Sequence, residues 1–436
     1  MTIVTMFFGN IVIAIAMHSV SDTEAIILNL VQPLDHQRDT EVVDLFAAAG
    51  RILAVPVTSN LDFPHWDNSA MDGYAVRYTD VQHCSAEQPA VLEIVESIPA
   101  GYQPQSIIQA GQAARIFTGA VMPQGADTVV MQERTSQQEN FVQILAAPKP
   151  QEFVRRQASF YQAGTQLLPA GIKLNGAEIA VLAAAQCGRV SVYSTPIVAI
   201  FSTGDELVTI DQPLAAGQIV DSNAYALAAL VRQSGAEPLM LGIVKDEPAA
   251  LQKTITEAIA HADIVISSGG VSVGDYDYVE QILATLQAQI HIRAVAMRPG
   301  KPLTVATFPP TVDEGDNNHR VPIYFGLPGN PAAVLVTFLR FVQPAIKKLA
   351  GLAQGWKVEF VKVRSHQELR SDGKRETYIW GKLQLVNGVY EFSPSGGSHS
   401  SGNLINLAQT NALAVIPVGK TLISAGEEVE VYFNRG

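Results

Sequence analysis

The sequence predicts a multidomain chain whose centre is an α/β domain with a mostly parallel sheet covered by helices. A β-rich domain is inserted before it and a small all-β domain follows it. Three observations predict this. From Thr195 onward, β-branched runs alternate with helical stretches, the rhythm of a parallel sheet with crossover helices. Residues 57–150 carry short β-type runs punctuated by Gly, Pro and Gln. Residues 356–436 again read as short alternating strands. The chain has 436 residues, too many for one ordinary core.

The elements follow in order. Met1 to Ala16 is uncharged and apolar, so a signal-peptide core or short anchor is one reading. It lacks a basic n-region, Gly9-Asn10 interrupts it, and it is shorter than a membrane span. A start codon called upstream of Met17 fits better. A mixed α/β region is expected over 17–56 plus 151–190. In it, Ser21 to Leu34 reads as a helix, with Ser21 and Glu24 at capping-box spacing and Pro33 as a stop. A second helix is expected over Val42 to Ala49 and another over Glu178 to Ala185. In the inserted domain, 57–150, strands are expected at Val91 to Val95, Ala113 to Phe117, Thr128 to Gln132 and Phe141 to Leu145.

The α/β domain covers 191–350. Its expected strands are Ile197 to Phe201, Pro238 to Val244, Ile264 to Ser267, His291 to Ala296, Leu303 to Thr307 and Ile323 to Phe325. Its expected helices are Ala224 to Ser234, Ala249 to His261, Tyr278 to Leu286 and Ala332 to Leu349. Pro309 to His319 reads as a solvated insertion rather than a metal loop. The C-terminal strands are expected at Trp356 to Val363, Glu376 to Val386, Val389 to Pro394, Ala412 to Pro417 and Glu428 to Phe433.

The net charge of -12 argues against a nucleic-acid partner, which needs a basic face. Cys84 and Cys187 are the only cysteines, too few for a disulfide framework or a cysteine zinc site. That fits a reducing cytoplasm. No stretch beyond the first residues reads as transmembrane.

In parallel sheets, ligands bind at the carboxyl ends of strands. Three loops fall there: Ser202-Thr-Gly-Asp205-Glu206-Leu, the run from Ser267 to Asp277, and Leu327-Pro328-Gly-Asn-Pro. Ser267, Ser268, Gly269 and Gly270 leave backbone N–H groups open to a phosphate ahead of the Tyr278 helix. Asp275 and Asp277 add carboxylates at the same mouth. Arg298-Pro-Gly-Lys301-Pro is a stiff basic turn suited to an anion. In the insertion, Asp67 to Arg77 packs acids, an amide and a glycine into a turn-like run. Thr118-Gly119 suits a turn cap or an oxyanion contact.

Six motifs occur in one order: Asp67-Asn-Ser-Ala-Met-Asp72-Gly-Tyr-Ala, Phe117-Thr-Gly-Ala, Ser202-Thr-Gly-Asp-Glu-Leu, Ser268-Gly-Gly-Val-Ser-Val-Gly-Asp-Tyr-Asp, Pro299-Gly-Lys-Pro and Gly326-Leu-Pro-Gly-Asn-Pro. From about Asp22 to its end, the chain resembles the MoeA family of molybdopterin molybdenumtransferases, whose eukaryotic relatives include the gephyrin E domain. The resemblance implies an elongated homodimer of four-part subunits with an active cleft completed by the partner copy. It implies insertion of molybdenum from molybdate into adenylylated molybdopterin, with release of AMP and help from Mg²⁺. By motif, Asp277, Glu206, Asp72 and Thr118 resemble the functional positions. Glu206 and Asp277, with Asp205 and Asp275, are the expected metal ligands, since Mg²⁺ prefers oxygen donors. Asp72 and Thr118 are expected to reach the partner's cleft. Ser268, Gly269, Gly270, Ser272, Arg298, Lys301 and Pro328 are the expected phosphate and substrate contacts. Arg375 and Ser398 join them from motifs of the terminal domain.

The chain departs from the family at two places. Ala158-Ser-Phe160 stands where many relatives carry Gly-Glu-Asp, so Phe160 replaces an acid. Arg298 stands where Lys is common. Two other functions compete. A molybdopterin adenylyltransferase, itself a possible partner, would resemble residues 190–348 alone. A scaffold role would require a long linker or tail, and none is visible.

Overall fold

A computed structural model describes residues 2–8, 11–269, 278–309, 321–396 and 402–433, with 2–8 and 11–16 described as backbone. The expected insertion at Pro309 to His319 lies almost wholly outside these residues. The chain divides into two compact units. One comprises Met1–Val55, Ala170–Asn175 and Ser191–Gly436, and the other Pro56–Pro169 and Gly176–Val190.

The first unit begins with an antiparallel hairpin, Thr2–Phe8 against Ile11–Met17. The helix after it runs Val20–Leu30. Ser19, not Ser21, caps it, accepting from the N–H of Asp22 at 3.0 Å. The helix stops before Pro33, because residues preceding a proline disfavour the helical region. The helix expected over Val42 to Ala49 is half strand. Thr40–Asp44, rich in β-branched residues, is extended. Asp44 then caps a short helix, Leu45–Ala48, by accepting from Ala47 N–H.

Six strands form the central sheet, in the spatial order Glu237–Val244, Ile197–Thr203, Ile264–Ser268, Ile323–Leu327, Pro302–Thr307, Gln289–Ala294. The first four are parallel. The last two are antiparallel to their neighbours, so the sheet is mixed. The short link from Ala294 to Pro302 cannot hold a crossover helix, which forces that pair to run antiparallel. Side chains alternate between two cores. Val198, Ile200, Ile264, Ile266 and Phe325 face Leu227, Val231 and Ile27. Ala199, Phe201, Val265 and Tyr324 face Leu251, Ile255 and Leu283. Each of the Val, Leu, Ile and Phe side chains contributes roughly 1.5–3 kcal/mol on burial.

The expected single helix to Leu349 is interrupted. Pro331–Thr337 and Gln343–Leu349 are α-helical, and Phe338–Val342 between them is a wide π turn. Pro344 has no N–H for the Arg340 carbonyl, and its ring would collide with that carbonyl in an unbroken helix.

The C-terminal strands close on themselves. Glu376–Val386, Val389–Pro394, Phe360–Ser365, Glu428–Phe433 and Ala412–Ile416 pair in sequence, and the last pairs with the first. Asn387 and Gly388, both at positive φ, make the tight hairpin turn between the first two. Phe392, Ile416 and Val431 fill this barrel. The first strand starts at Phe360 rather than Trp356.

The second unit holds a six-stranded sheet in the order Thr135–Gln138, Phe141–Ile144, Ala90–Ile98, Gln112–Ile116, Gly73–Val76, Thr128–Met131. Tyr74, Val130 and Ile144 fill one face, and Ala75, Ile98 and Ile116 the other. Val154–Arg155 pairs with Asn68–Ser69, so this unit reaches past residue 150. Among the described residues, no helix is long and apolar enough to cross a membrane.

Candidate active site

A cleft of about 1730 Å³ opens in the first unit, between the carboxyl ends of the parallel strands and the barrel. Thr203, Gly204 and Glu206 line it after one strand, Ser268 and Gly269 after the next, and Pro328 to Ala333 after the third. The expected three-loop convergence is therefore present. Gly269 sits at φ +91°, and a Cβ there would lie 2.3 Å from the Thr203 carbonyl oxygen. Only glycine lets these two loops approach so closely. Gly329 faces Gly269 in turn; its added Cβ would touch the Gly269 Cα at 3.6 Å.

Asn223 joins the loops. Its Nδ2 donates to Ser268 Oγ and to the Gly329 carbonyl, both at 2.8 Å. It stands in the first turn of the Ser222–Gln233 helix, which Asp221 caps through Ala224 N–H. Asp221, Ser222 and Asn223 all line the cleft, so a helix N-terminus faces it. Sequence reasoning missed Asn223 by starting that helix at Ala224. The Asp-Ser-Asn run, a strong capping signature, was the available signal. Asp246 was missed as well. It follows the Glu237–Val244 strand into the cleft and accepts from the Thr203 hydroxyl. Its place at a strand's carboxyl end would have marked it.

The basic turn and the barrel meet on Asp372. Arg298 Nη1 lies 3.5 Å and Arg375 Nη2 3.7 Å from Asp372 Oδ2. Arg375 Nη1 also donates to the Met297 carbonyl at 3.5 Å. The N–H of Lys374 holds the Asp372 carboxyl below its ordinary pKa, with Arg375 and Arg298 adding to the effect. Met297–Arg298 pairs in parallel with Glu376–Thr377, which fixes this arrangement. Lys301 lines the same wall. Trp380 lines it too, and its Nε1 is buried with no hydrogen-bond partner among the described residues.

Of the expected metal ligands, Glu206 lines the cleft, while Asp205 is exposed and does not. Asp275 and Asp277 lie outside the described residues, as do Gly270, Ser272 and Ser398. Among the described residues, no group of three or more His, Cys, Asp or Glu could hold a metal. Glu206 is nonetheless a donor of the right kind. Its carboxylate folds beside Gly204, where a Cβ would meet it at 2.8 Å. Mg²⁺ typically takes one or two carboxylates beside substrate phosphates.

In the second unit, Asp72 and Thr118 come together. Asp72 Oδ1 accepts from both the N–H and the hydroxyl of Thr118, each at 2.7 Å. The hydroxyl, then the N–H, draw the Asp72 carboxyl below its ordinary pKa. Gly73, next in line, must be glycine, because a Cβ would lie 2.0 Å from the Val130 carbonyl oxygen. Nearby, Asp67 accepts from Arg156 at 2.6 Å and from Gln157 N–H at 2.7 Å. Phe160 is 72% exposed, and its own N–H donates to the Phe63 carbonyl at 2.8 Å.

Loops converging at the carboxyl ends of a mixed α/β sheet, faced by one arginine from a basic turn and one from a barrel, define a class of enzymes acting on large anionic ligands. Three family models match in order. MoeA N-terminal region (domain I and II) covers residues 18–186, "Probable molybdopterin binding domain" covers 199–348, and MoeA C-terminal region (domain IV) covers 362–433. A molybdopterin molybdenumtransferase of Nostoc sp. is 72% identical over 95% of this chain and 93% of its own. One from Haemophilus influenzae is 32% identical over 92% of this chain and 96% of its own. The crystal structure of the molybdopterin biosynthesis MoeA protein from Pyrococcus horikoshii superposes with a TM-score of 0.80. It is 26% identical and covers 96% of this chain and 100% of its own. The chain belongs to the MoeA family.

Proposed function

We propose that this chain is a molybdopterin molybdenumtransferase that inserts molybdenum from molybdate into adenylylated molybdopterin, releasing AMP. The observation that carries this is the cleft, which Ser268 and Gly269 line together with Arg298, Lys301 and Arg375. Cleaving a phosphoanhydride requires neutralised phosphate charge and a positioned attacking oxygen. The cations would offset phosphate charge, and the helix N-terminus at Ser222–Asn223 lines the same cleft. The cleft volume exceeds the roughly 300–1,000 Å³ of ordinary small-ligand pockets, which suits a ligand carrying both a pterin and a nucleotide. Glu206 would hold Mg²⁺, which supplies charge neutralisation at the phosphates when bound.

The family resemblance extends the proposal to a cytoplasmic homodimer in which Asp72 and Thr118 serve the partner copy's cleft. Their shared hydrogen bonds support a joint role. A molybdopterin adenylyltransferase would supply the adenylylated substrate. The test is AMP release from adenylylated molybdopterin with molybdate, with tungstate and with neither. Release dependent on molybdate supports the proposal. Consumption of ATP with molybdopterin, without such release, would point to adenylylation instead. Light scattering of the purified chain tests the dimer.

A further inference from the structure

Behind the cleft lies a buried polar network that the proposed chemistry does not use. Arg340, in the π turn, is 9% exposed. Its Nη1 and Nη2 donate to the two carboxylate oxygens of Glu24 at 2.7 and 3.3 Å. Its Nε donates to the Tyr378 hydroxyl at 3.1 Å. Tyr378 in turn donates to Glu376 Oε1. Burial, with Glu376 adding, pushes the Tyr378 phenol well above its ordinary pKa, so it stays a donor. The rings of Phe341 and Phe360 flank the guanidinium at 5.6 and 5.8 Å. One side chain thus ties the N-terminal helix, the helical run behind the sheet and the barrel strand Glu376–Val386.

That strand pairs with the basic turn that carries Arg298. Glu376 and Thr377 pair with Met297 and Arg298, Glu376 N–H donates to the Ala296 carbonyl at 3.0 Å, and Arg375 immediately precedes. A buried ion pair contributes little net stability compared with apolar side chains of the same size. Its directional bonds do fix geometry.

We propose that Arg340 is a positioning residue. Through Glu24 and Tyr378 it fixes the barrel strand against the basic turn, so that Arg298 and Arg375 stand together at the cleft. The inference rests on the reading of that cleft as the site of a polyanionic pterin nucleotide.

Two variants test it: E24Q, which keeps size and removes charge, and the apolar pair E24L/R340M. Both are compared with wild type by amide hydrogen exchange and by AMP-release kinetics. The expected result is faster exchange at 296–298 and 376–378, with 429–431 unchanged. KM for adenylylated molybdopterin rises about tenfold while kcat changes far less, the signature of lost ground-state positioning. Unchanged exchange at 296–298 and 376–378 in E24Q overturns the proposal, and so does faster exchange with an unchanged KM. If the apolar pair fails to fold, E24Q decides alone. If wild type itself releases no AMP, the reading of the cleft fails, and the exchange comparison still decides the positioning role.

Discussion

Asp72 Oδ1 takes both the backbone N–H and the hydroxyl of Thr118, each at 2.7 Å, although the two residues come from separate loops. The pair aims one carboxylate from a surface turn. T118A keeps the N–H donor and removes the hydroxyl. We predict a loss of roughly 10–100-fold in kcat for AMP release, the range of a displaced catalytic group. The melting temperature should not move, because both residues are exposed. Equal activity of T118A and wild type would remove Thr118 from the chemistry.

The same pair sets a pH limit. The folded-state pKa of Asp72 lies below its ordinary 3.8. Its contribution is therefore present above 3.8 and lost as pH falls through the lower folded value. We predict that the Asp72–Thr118 contact persists throughout the neutral range and fails only in acid. Carboxyl-carbon NMR titration of Asp72 reads this directly, and a midpoint above the ordinary value would contradict it.

Asp372 pairs with both Arg298 and Arg375. We predict that D372N tightens binding of the polyanionic substrate severalfold, since exposed pairs of this kind are worth roughly 0.2–1 kcal/mol. Isothermal titration at low and high salt tests it. The gain should shrink with salt, and weaker binding in D372N would show that Asp372 organises the arginines rather than competing for them.

G269A places a Cβ 2.3 Å from the Thr203 carbonyl at a positive φ. We predict a stability loss of roughly 1–3 kcal/mol from backbone strain and a raised KM as the phosphate loop shifts. Denaturant titration with steady-state kinetics reads both. An unchanged KM would detach the loop from substrate binding.

N223A removes the donor shared by Ser268 and Gly329. We predict a destabilisation of roughly 1–3 kcal/mol and a higher KM with kcat less affected. Thermal unfolding and AMP-release kinetics provide the check. A KM equal to wild type would mean that the two loops keep their places without this clamp.

Local chemistry made much of the fold legible. Ile264, Val265 and Ile266 announce a strand buried on both faces, and the Glu376–Val386 strand lies where alternation put it. The errors have physical causes. Ser21 and Glu24 have capping-box spacing, but Ser19 comes first and caps the helix two residues earlier. Thr40, Val42 and Val43 prefer extended backbone despite the helical Leu45–Ala48 that follows. Sequence placed Asp72, Thr118, Arg298 and Arg375 in separate motifs, and no local pattern could show which of them touch. The Asp72–Thr118 and Arg298–Asp372 contacts depend on sheet register and barrel placement, which are non-local.

The π turn at Phe338–Val342 has a consequence for how this stretch tolerates change in length. A π turn amounts to one extra residue, and each residue of a helix turns about 100° around its axis. Beyond the turn, Gln343 accepts from Tyr432 of the barrel and Lys348 reaches the Leu28 carbonyl of the N-terminal helix. Removing a single residue from 338–342 would swing both side chains about a quarter-turn around the helix axis and off target. The segment is thus a spacer whose residue count, more than its composition, decides which neighbours the last helix can hold.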